Sequence, residues 1–422
     1  MEHYVMKNSG VPWVDMIPET WSVRRGKTIL KLLNRPIRDD DEIITCFRDG
    51  EVTLRKNRRE DGFTIALQET GYQGIEPGDL VVHGMDGFAG SIGISDSRGK
   101  ATPVLNVMDS TQNKRFLMYY LRALAYKDVF MSLSTGIRVR SCDLRWNKLA
   151  VLPFLIPPIA EQNAIVSFLD DQVSQIDSLI QEAKASIEEY KQWKKSVIFE
   201  AVTKGLNRNV TMKDSEISWI GDVPASWNIR KIKNGFSIVS GATPKSDKKE
   251  YWDGDVIWIT PADYKTEDKY IRGGRRNLSD EGYSSCGTTV VPVGSLIFSK
   301  RAPVGTVAIN SVPLCTNQGC LSCIPNSTAD SEYFYYAMSV FTEQFELFSS
   351  GTTFKEISAN AFANFTLPCP PIAEQKEIAK YLSVKCSEID DIRREKQALI
   401  DDMEAYKRSL IYEIVTGKRK VV

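Results

Sequence analysis

Pro157-Pro158-Ile159-Ala160-Glu161-Gln162 and Pro370-Pro371-Ile372-Ala373-Glu374-Gln375 are the same six residues written twice, 213 positions apart. Each opens a run of more than 40 residues with no internal Pro or Gly, the first ending near Gly205 and the second near Gly417. Proline fits the first turn of a helix, where it has no N–H to leave unpaired, and glycine fits just past the last. In the first run Ile165, Leu169, Ile176, Leu179, Ala183, Ile187, Tyr190, Val197 and Ala201 recur at steps of three, four or seven. In the second, Ile378, Leu382, Ile389, Ile392, Leu399, Met403, Tyr406, Leu410 and Ile414 do the same. Such steps lay one apolar stripe along a helix at the near-heptad spacing of a coiled-coil seam. Each run predicts a single helix of roughly 60–65 Å at ~1.5 Å per residue. A lone helix of that length exposes its stripe, so the two are expected to bury their stripes against each other. The pairing is antiparallel if a duplicated unit folds back on itself.

The duplication is larger than the helices. Trp13-Val14 and Ile17-Pro18-Glu19-Thr20-Trp21 match Trp219-Ile220 and Val223-Pro224-Ala225-Ser226-Trp227 at a shift of 206, so the second copy carries seven more residues between its Trp and its Pro-Pro. Between these anchors the copies have diverged, though Gly78-Asp79-Leu80 still resembles Gly294-Ser295-Leu296, and Gly90-Ser91-Ile92 resembles Gly305-Thr306-Val307. A period above 200 residues is too long for a solenoid and indicates a duplicated domain-plus-helix unit. Each globular part reads as mixed α/β with many short strands. Glycine turns precede the apolar runs at Leu80 and Leu296, and 255–260 is a strand stopped by Pro261. Residues 116–126 and 333–345 read as helices. The organisation expected is a globular part over 1–156 with entry segment 11–24, a helix over 157–206, a second globular part over 207–369 with entry segment 217–230, and a helix over 370–422.

The chain of 422 residues has 54 basic and 54 acidic residues. The two helical runs hold 18 acidic and 13 basic residues, leaving 36 and 41 elsewhere, so slightly basic heads ride on acidic helices. Met1-Glu2-His3-Tyr4 lacks the apolar region of a signal peptide, and no window holds about 18 consecutive apolar residues to span a membrane. The eight cysteines sit mostly in apolar contexts, as in a reduced cytoplasmic setting. Cys315, Cys320 and Cys323 have the opening spacing of an iron–sulfur site, but no fourth ligand follows nearby and the first copy has no counterpart, so buried free thiols are expected. Only His3 and His83 are available to a zinc site. Gly26-Lys27-Thr28 has Trp21 where a phosphate-binding loop needs its first glycine, so it is read as a chance match at a helix start.

Paired Pro-Pro-Ile-Ala-Glu-Gln helices, Ile/Val-Pro-x-x-Trp entries, the loop Ser240-Gly241-Ala242-Thr243-Pro244 and the loop Ser350-Gly351-Thr352-Thr353-Phe354-Lys355-Glu356-Ile357 together resemble the specificity (S) subunit of type I restriction-modification enzymes. The resemblance covers essentially the whole chain, with the first globular part departing more. It has Ser134-Thr135-Gly136-Ile137-Arg138 in place of the second loop. The resemblance implies two target recognition domains, each reading half of a split site on double-stranded DNA, spaced by an antiparallel coiled coil. It implies recruitment of two methyltransferase (M) subunits, which use S-adenosylmethionine, and of restriction (R) subunits, which use ATP and Mg. It implies no cofactor, metal or chemistry on this chain, and a prokaryotic cytoplasm, with the nucleoid as its place when bound to DNA. The Asp/Asn-Pro-Pro-aromatic tetrapeptide of an adenine methyltransferase is absent, since both Pro-Pro pairs have other flanks. Two rival readings stay open: the specificity subunit of a two-component type II system, and a coiled-coil adaptor that does not read DNA.

The candidate DNA contacts are Arg55, Lys56, Arg58, Arg59, His83, Asp86 and Arg138 in the first copy. In the second they are Thr243, Lys245, Arg275, Lys300, Arg301, Thr352, Thr353 and Lys355. Basic side chains position phosphates, and polar ones in Gly-flanked loops reach base edges. Lys194, Lys195, Lys407 and Arg408, near the helix ends, are candidates for binding a partner. Glu161 and Glu374 sit in first helical turns, where negative charge is favourable.

Overall fold

The computed structural model describes residues 4–58, 70–132, 144–351 and 355–421. The chain forms two compact units: Met1–Lys184 with Gln397–Val422, and Ala185–Lys396. The division falls inside both long helices, which run over Ile159–Lys204 and Ile372–Val415.

In the first unit, a hairpin pairs Met6–Val11 with Val14–Pro18 antiparallel. Ser22–Arg25 then pairs with Pro153–Ile156, the strand that runs directly into Pro157-Pro158. Between these lies an antiparallel sheet in the order Leu30–Leu32, Leu105–Ser110, Leu80–His83, Ile92–Ile94. The helix Lys114–Tyr126 is capped by the Asn113 side chain, which accepts from the N–H groups of Arg115 and Phe116. It buries Phe116, Leu117, Tyr120, Leu121 and Leu124.

The second unit repeats this plan. Met212–Asp214 pairs with Asp222–Pro224, and Asn228–Lys231 with Thr366–Cys369, the strand leading into Pro370-Pro371. Its main sheet has five strands, in the order Phe236–Ser240, Cys320–Pro325, Leu296–Ser299, Val307–Asn310, Tyr270–Ile271. A further sheet has three strands, Arg276–Leu278, Trp252–Ile259 and Cys315–Thr316, where the first unit has two strand pairs, Ile44–Cys46 with Val52–Leu54 and Gln73–Ile75 with Gly99–Ala101. Residues 333–345 do not form one helix. Ser331–Val340 and Thr342–Leu347 are separated at Phe341, whose ring is buried in the core 5.9 Å from that of Phe199.

In each unit the start of one long helix lies beside the end of the other. Trp21 meets Glu161 at the start of the first helix, and its ring lies 3.5 Å from where a Cβ on Gly417 would sit. Trp227 meets Glu374 and lies 3.1 Å from the corresponding point on Gly205. Both glycines have positive φ, +73° and +72°, which ends the helix in the left-handed region. Further along, Asp177 pairs with Lys407 in the first unit and Lys194 with Asp390 in the second, each at 2.5 Å, so the pairing is antiparallel in both.

The seam differs from the sequence periodicity at three positions. Leu179 is 48% exposed while Ile180 is 4% exposed, and Leu399 likewise gives way to Ile400. Tyr406 is also outside the seam. An α-helix with 3.6 residues per turn drifts against a strict seven-residue repeat, so adjacent positions compete for the core. The partner's surface decides which one enters.

Gly26–Thr28 is one 3-10 turn whose first residue packs against the Leu149 carbonyl, too close for a Cβ. Cys315, Cys320 and Cys323 are buried free thiols, and burial pushes the first two up to about 11 and about 12.

Candidate nucleic-acid interface

The six repeated residues act together with the entry Trp. Trp21 Nε1 donates to Glu161 at 3.0 Å, and Trp227 Nε1 donates to Glu374 at 2.9 Å. Tyr4 Oη also donates to Glu161. The neighbouring glutamines are fully buried and fully used. Gln162 Oε1 accepts from Asn113 N at 3.0 Å, and its amide donates to Pro157 O at 2.8 Å and Gln112 at 2.8 Å. Gln375 Oε1 accepts from Asp330 N at 2.8 Å, and its amide donates to Pro370 O at 2.8 Å and Thr328 O at 3.0 Å. Asn113 and Asp330 are the N-caps of the helices Lys114–Tyr126 and Ser331–Val340, so each glutamine ties the long helix to the globular part beside it. A buried amide left without partners would cost about 1–3 kcal/mol, which makes these bonds specific. The sequence reading gave the two glutamates a helix-dipole role and the glutamines none. The motif's repetition was the signal, but nothing local says what a buried Gln will bind.

In the first unit a cleft of about 740 Å³ gathers Arg55, Arg58, His83 and Asp86, four of the candidates, together with Arg48, Asp49, Thr45 and Ser91. Arg55 Nε donates to Thr45 at 3.2 Å. Arg58 pairs with Asp49 at 2.6 Å and lies 4.3 Å over the Phe47 ring. Arg48 pairs with Asp86 at 3.1 Å. Asp86 N and Met85 N donate to His83 Nδ1 at 2.9 and 3.2 Å. Burial holds the His83 imidazole below its ordinary pKa, against the pull of Asp86. Lys56 stands nearby in sequence, paired with Glu42 at 2.5 Å. Arg48 carried no sequence signal beyond its place before the Asp49-Gly50 turn. Arg59 and Arg138 lie outside the described residues, as do Thr352 and Thr353 of the second copy.

In the second unit three candidate loops meet around 317–319. Thr243 donates to Gln318, Lys300 N donates to Gly319 O at 3.0 Å, and Ile357 N donates to Lys300 O at 3.0 Å. Lys300 and Arg301 share Glu356 at 2.9 and 3.5 Å, and Lys355 reaches Glu346 at 3.3 Å. Lys300 beside it holds the Glu356 carboxyl below the usual range. Arg301, Lys355, Glu346 and Glu356 border a cavity of about 470 Å³. Arg275 donates to Ala262 O at 2.6 Å and pairs with Asp263 at 3.5 Å, on the turn where Pro261 packs against Gly319. Lys245 is exposed, and its carbonyl accepts from Trp252 Nε1 at 3.4 Å. Among the described residues every basic candidate here but Lys245 has an acidic partner, so an arriving phosphate would compete with an existing ion pair.

Among the four candidates for partner contact, Lys194 and Lys407 form the half-buried ion pairs between the helices. Arg408 pairs with Glu404 at 3.4 Å on the same helix, and Lys195 is exposed. Beside the two ion pairs, Trp193 and Tyr406 are each about half exposed, at positions related by the 213-residue shift.

Residues 224–401 match the model of a family described as the type I restriction modification DNA specificity domain. The specificity subunit of the type I restriction enzyme MjaIX of Methanocaldococcus jannaschii is 37% identical over 183 residues, 43% of this chain and 42% of that one, so this match spans less than half of the relative's length. A second chain of that organism, whose name assigns it to the type I restriction enzyme MjaX as a specificity subunit, is 25% identical over 433 residues, 94% of either chain. One solved structure, from work on complex assembly and conformational transition of the type I R-M system, superimposes with a TM-score of 0.74 at 14% identity, over 96% of this chain and 99% of its own. The HsdS subunit from Thermoanaerobacter tengcongensis superimposes with a TM-score of 0.53 at 14% identity, over 96% and 98%. At such identity these likenesses are of fold.

Proposed function

We infer that this chain is a specificity subunit of the type I restriction-modification family, which reads DNA sequence for a complex whose chemistry lies elsewhere. The observation that carries this is a pair of units built on the same Trp–Glu–Gln anchor but presenting different polar loops. A shared anchor with unlike heads suits a reader of two unlike half-sites. The first head comprises 1–156 and the second 207–369, with the helices 157–206 and 370–422 as the element that spaces them. Phosphate contacts from Arg55, Arg58, Lys300, Arg301 and Lys355 supply most of the affinity in this reading, and polar groups in the cleft and loops supply the choice of base.

The partners are double-stranded DNA, two M subunits and the R subunits. The exposed faces around Trp193 and Tyr406 are the helix surfaces offered to M, in place of Lys194 and Lys407. The chain itself transfers no methyl group and cuts no DNA, and it works in the cytoplasm. The test is a map of methylated adenines in DNA from cells expressing this chain with its cognate M subunit, beside the purified chain given only S-adenosylmethionine. A bipartite asymmetric site, with no transfer by the chain alone, is the expected result. Methylation by the isolated chain, or a map without a split site, would overturn the reading.

A further inference from the structure

His83 has one ring nitrogen committed to its own loop. The backbone N–H groups of Met85 and Asp86 both donate to Nδ1, at 3.2 and 2.9 Å. A nitrogen that accepts two hydrogen bonds carries no hydrogen, so the proton of the neutral ring sits on Nε2. Protonating Nδ1 would set a hydrogen against two donors, which keeps the ring neutral by geometry. His83 lines the cleft, and among the described residues Nε2 has no acceptor. It is therefore a donor of fixed identity on a residue that lines the cleft. Arg48 lines the same cleft and brings a fork of further donors, while Asp86, held 3.1 Å from Arg48, is an acceptor.

Two donors and one acceptor, all on or beside one Gly-flanked loop, equal in number what either base pair shows, and the Arg48 fork favours guanine, whose two acceptors lie side by side. In the major groove a G·C pair shows the N7 and O6 acceptors of guanine and the N4–H donor of cytosine, whereas an A·T pair alternates acceptor and donor and ends in a methyl group. We propose that His83 reads a G·C pair in the half-site of the first unit, donating from Nε2 to N7 or O6 of guanine, with Arg48 as second donor and Asp86 facing cytosine N4. A phosphate oxygen could also accept from Nε2, and the test separates the two. The inference rests on the DNA-reading function proposed above.

Two substitutions split the two ring nitrogens. In His83→Asn the amide oxygen stands in for Nδ1 and keeps the loop, but the donor no longer reaches. His83→Gln keeps the reach and loses the loop acceptor. Both are assayed in the complex with the cognate M subunit, on duplexes carrying every base at each mapped position. The expected result for His83→Asn is a loss of preference on the order of tenfold at one G·C position of one half-site, the scale of one hydrogen bond to a base. Wild-type complex should lose a similar factor when that guanine is replaced by 7-deazaguanine, which lacks N7, or by 2-aminopurine, which lacks O6. His83→Asn should lose nothing further on that analogue. His83→Gln should retain part of the preference. A uniform loss over all sequences with a shallower salt dependence would overturn the inference in favour of a phosphate contact. An unchanged preference at every position would leave His83 as a loop strut and overturn it too. In either case the wild-type map still stands and the DNA-reading function survives, whereas a wild-type complex with no preferred sequence overturns that function and this inference together.

Discussion

Trp21, Glu161 and Gln162 in one unit and Trp227, Glu374 and Gln375 in the other make the same bonds at nearly the same lengths. The heads they hold differ. The first has a four-stranded sheet and a cleft lined by His83 and Arg48. The second has sheets of five and three strands and draws its loops together through Glu356 and Gln318. Where a segment must meet both the beginning of one helix and the end of the other, the bonds of the tryptophan, glutamate and glutamine recur, and the two copies share those residues. Where it only has to cover a sheet edge and face solvent, the copies have drifted, and the candidate contacts lie in that drifted part.

If that contrast is right, the largest effect should come from exchanging a head and leaving its anchor. Replacing 236–350 by the matching part of a relative should change one half of the methylated site completely, a preference on the order of 10³-fold or more, and leave the other half as it was. A methylation map in which both halves changed would mean that the heads are not independent readers.

Next come the anchors themselves. Trp21→Ala and Trp227→Ala each empty a fully buried site and strand a glutamate, and each should cost about 3–5 kcal/mol in denaturant unfolding. Similar losses from both would sharpen the view that the anchors are equivalent. A loss from one alone would break it. Gln162→Leu and Gln375→Leu keep the volume but leave a backbone N–H and two acceptor oxygens unpaired, so about 1–3 kcal/mol is expected from each. Hydrogen exchange at Asn113 and Asp330, whose N–H groups the glutamines accept from, reports the site directly.

The smallest effect is expected at the ion pairs along the helices. Lys194→Met and Lys407→Met should each change stability by under about 1 kcal/mol, since both pairs are partly in water. They should leave association with the M subunit intact, which a pull-down with purified M measures. Loss of association at unchanged stability would return these lysines to the role of partner contacts, and Trp193 and Tyr406 would lose theirs.

Much of this could be read from residue order alone. Two Pro-Pro starts, two runs without Pro or Gly and a Gly after each were enough for two long helices, because helix formation and its ends are governed by neighbours within a few positions. The duplication followed from matching letters, and the antiparallel pairing from the duplication on the condition that the repeated unit folds back on itself. Asp255 to Pro261 and the Gly turns before Leu80 and Leu296 marked strands for the same local reason. The break at Phe341 was not visible, because a ring that leaves the helix to fill a distant core obeys that core.

The helices and the repeat were thus determined by the sequence itself, through a period and its punctuation. Three matters were decided only by the tertiary structure. Ile180 and Ile400 enter the seam instead of Leu179 and Leu399 because the facing helix, not the period, chooses between adjacent apolar positions. Gln162 and Gln375 become the ties between helix and head because burial removes water as an alternative partner, and the donors and acceptors they then need come from residues up to 50 positions away. Arg48, Arg55, Arg58, His83 and Asp86 share one cleft because strand pairing brings their loops side by side, a proximity that residue spacing does not encode.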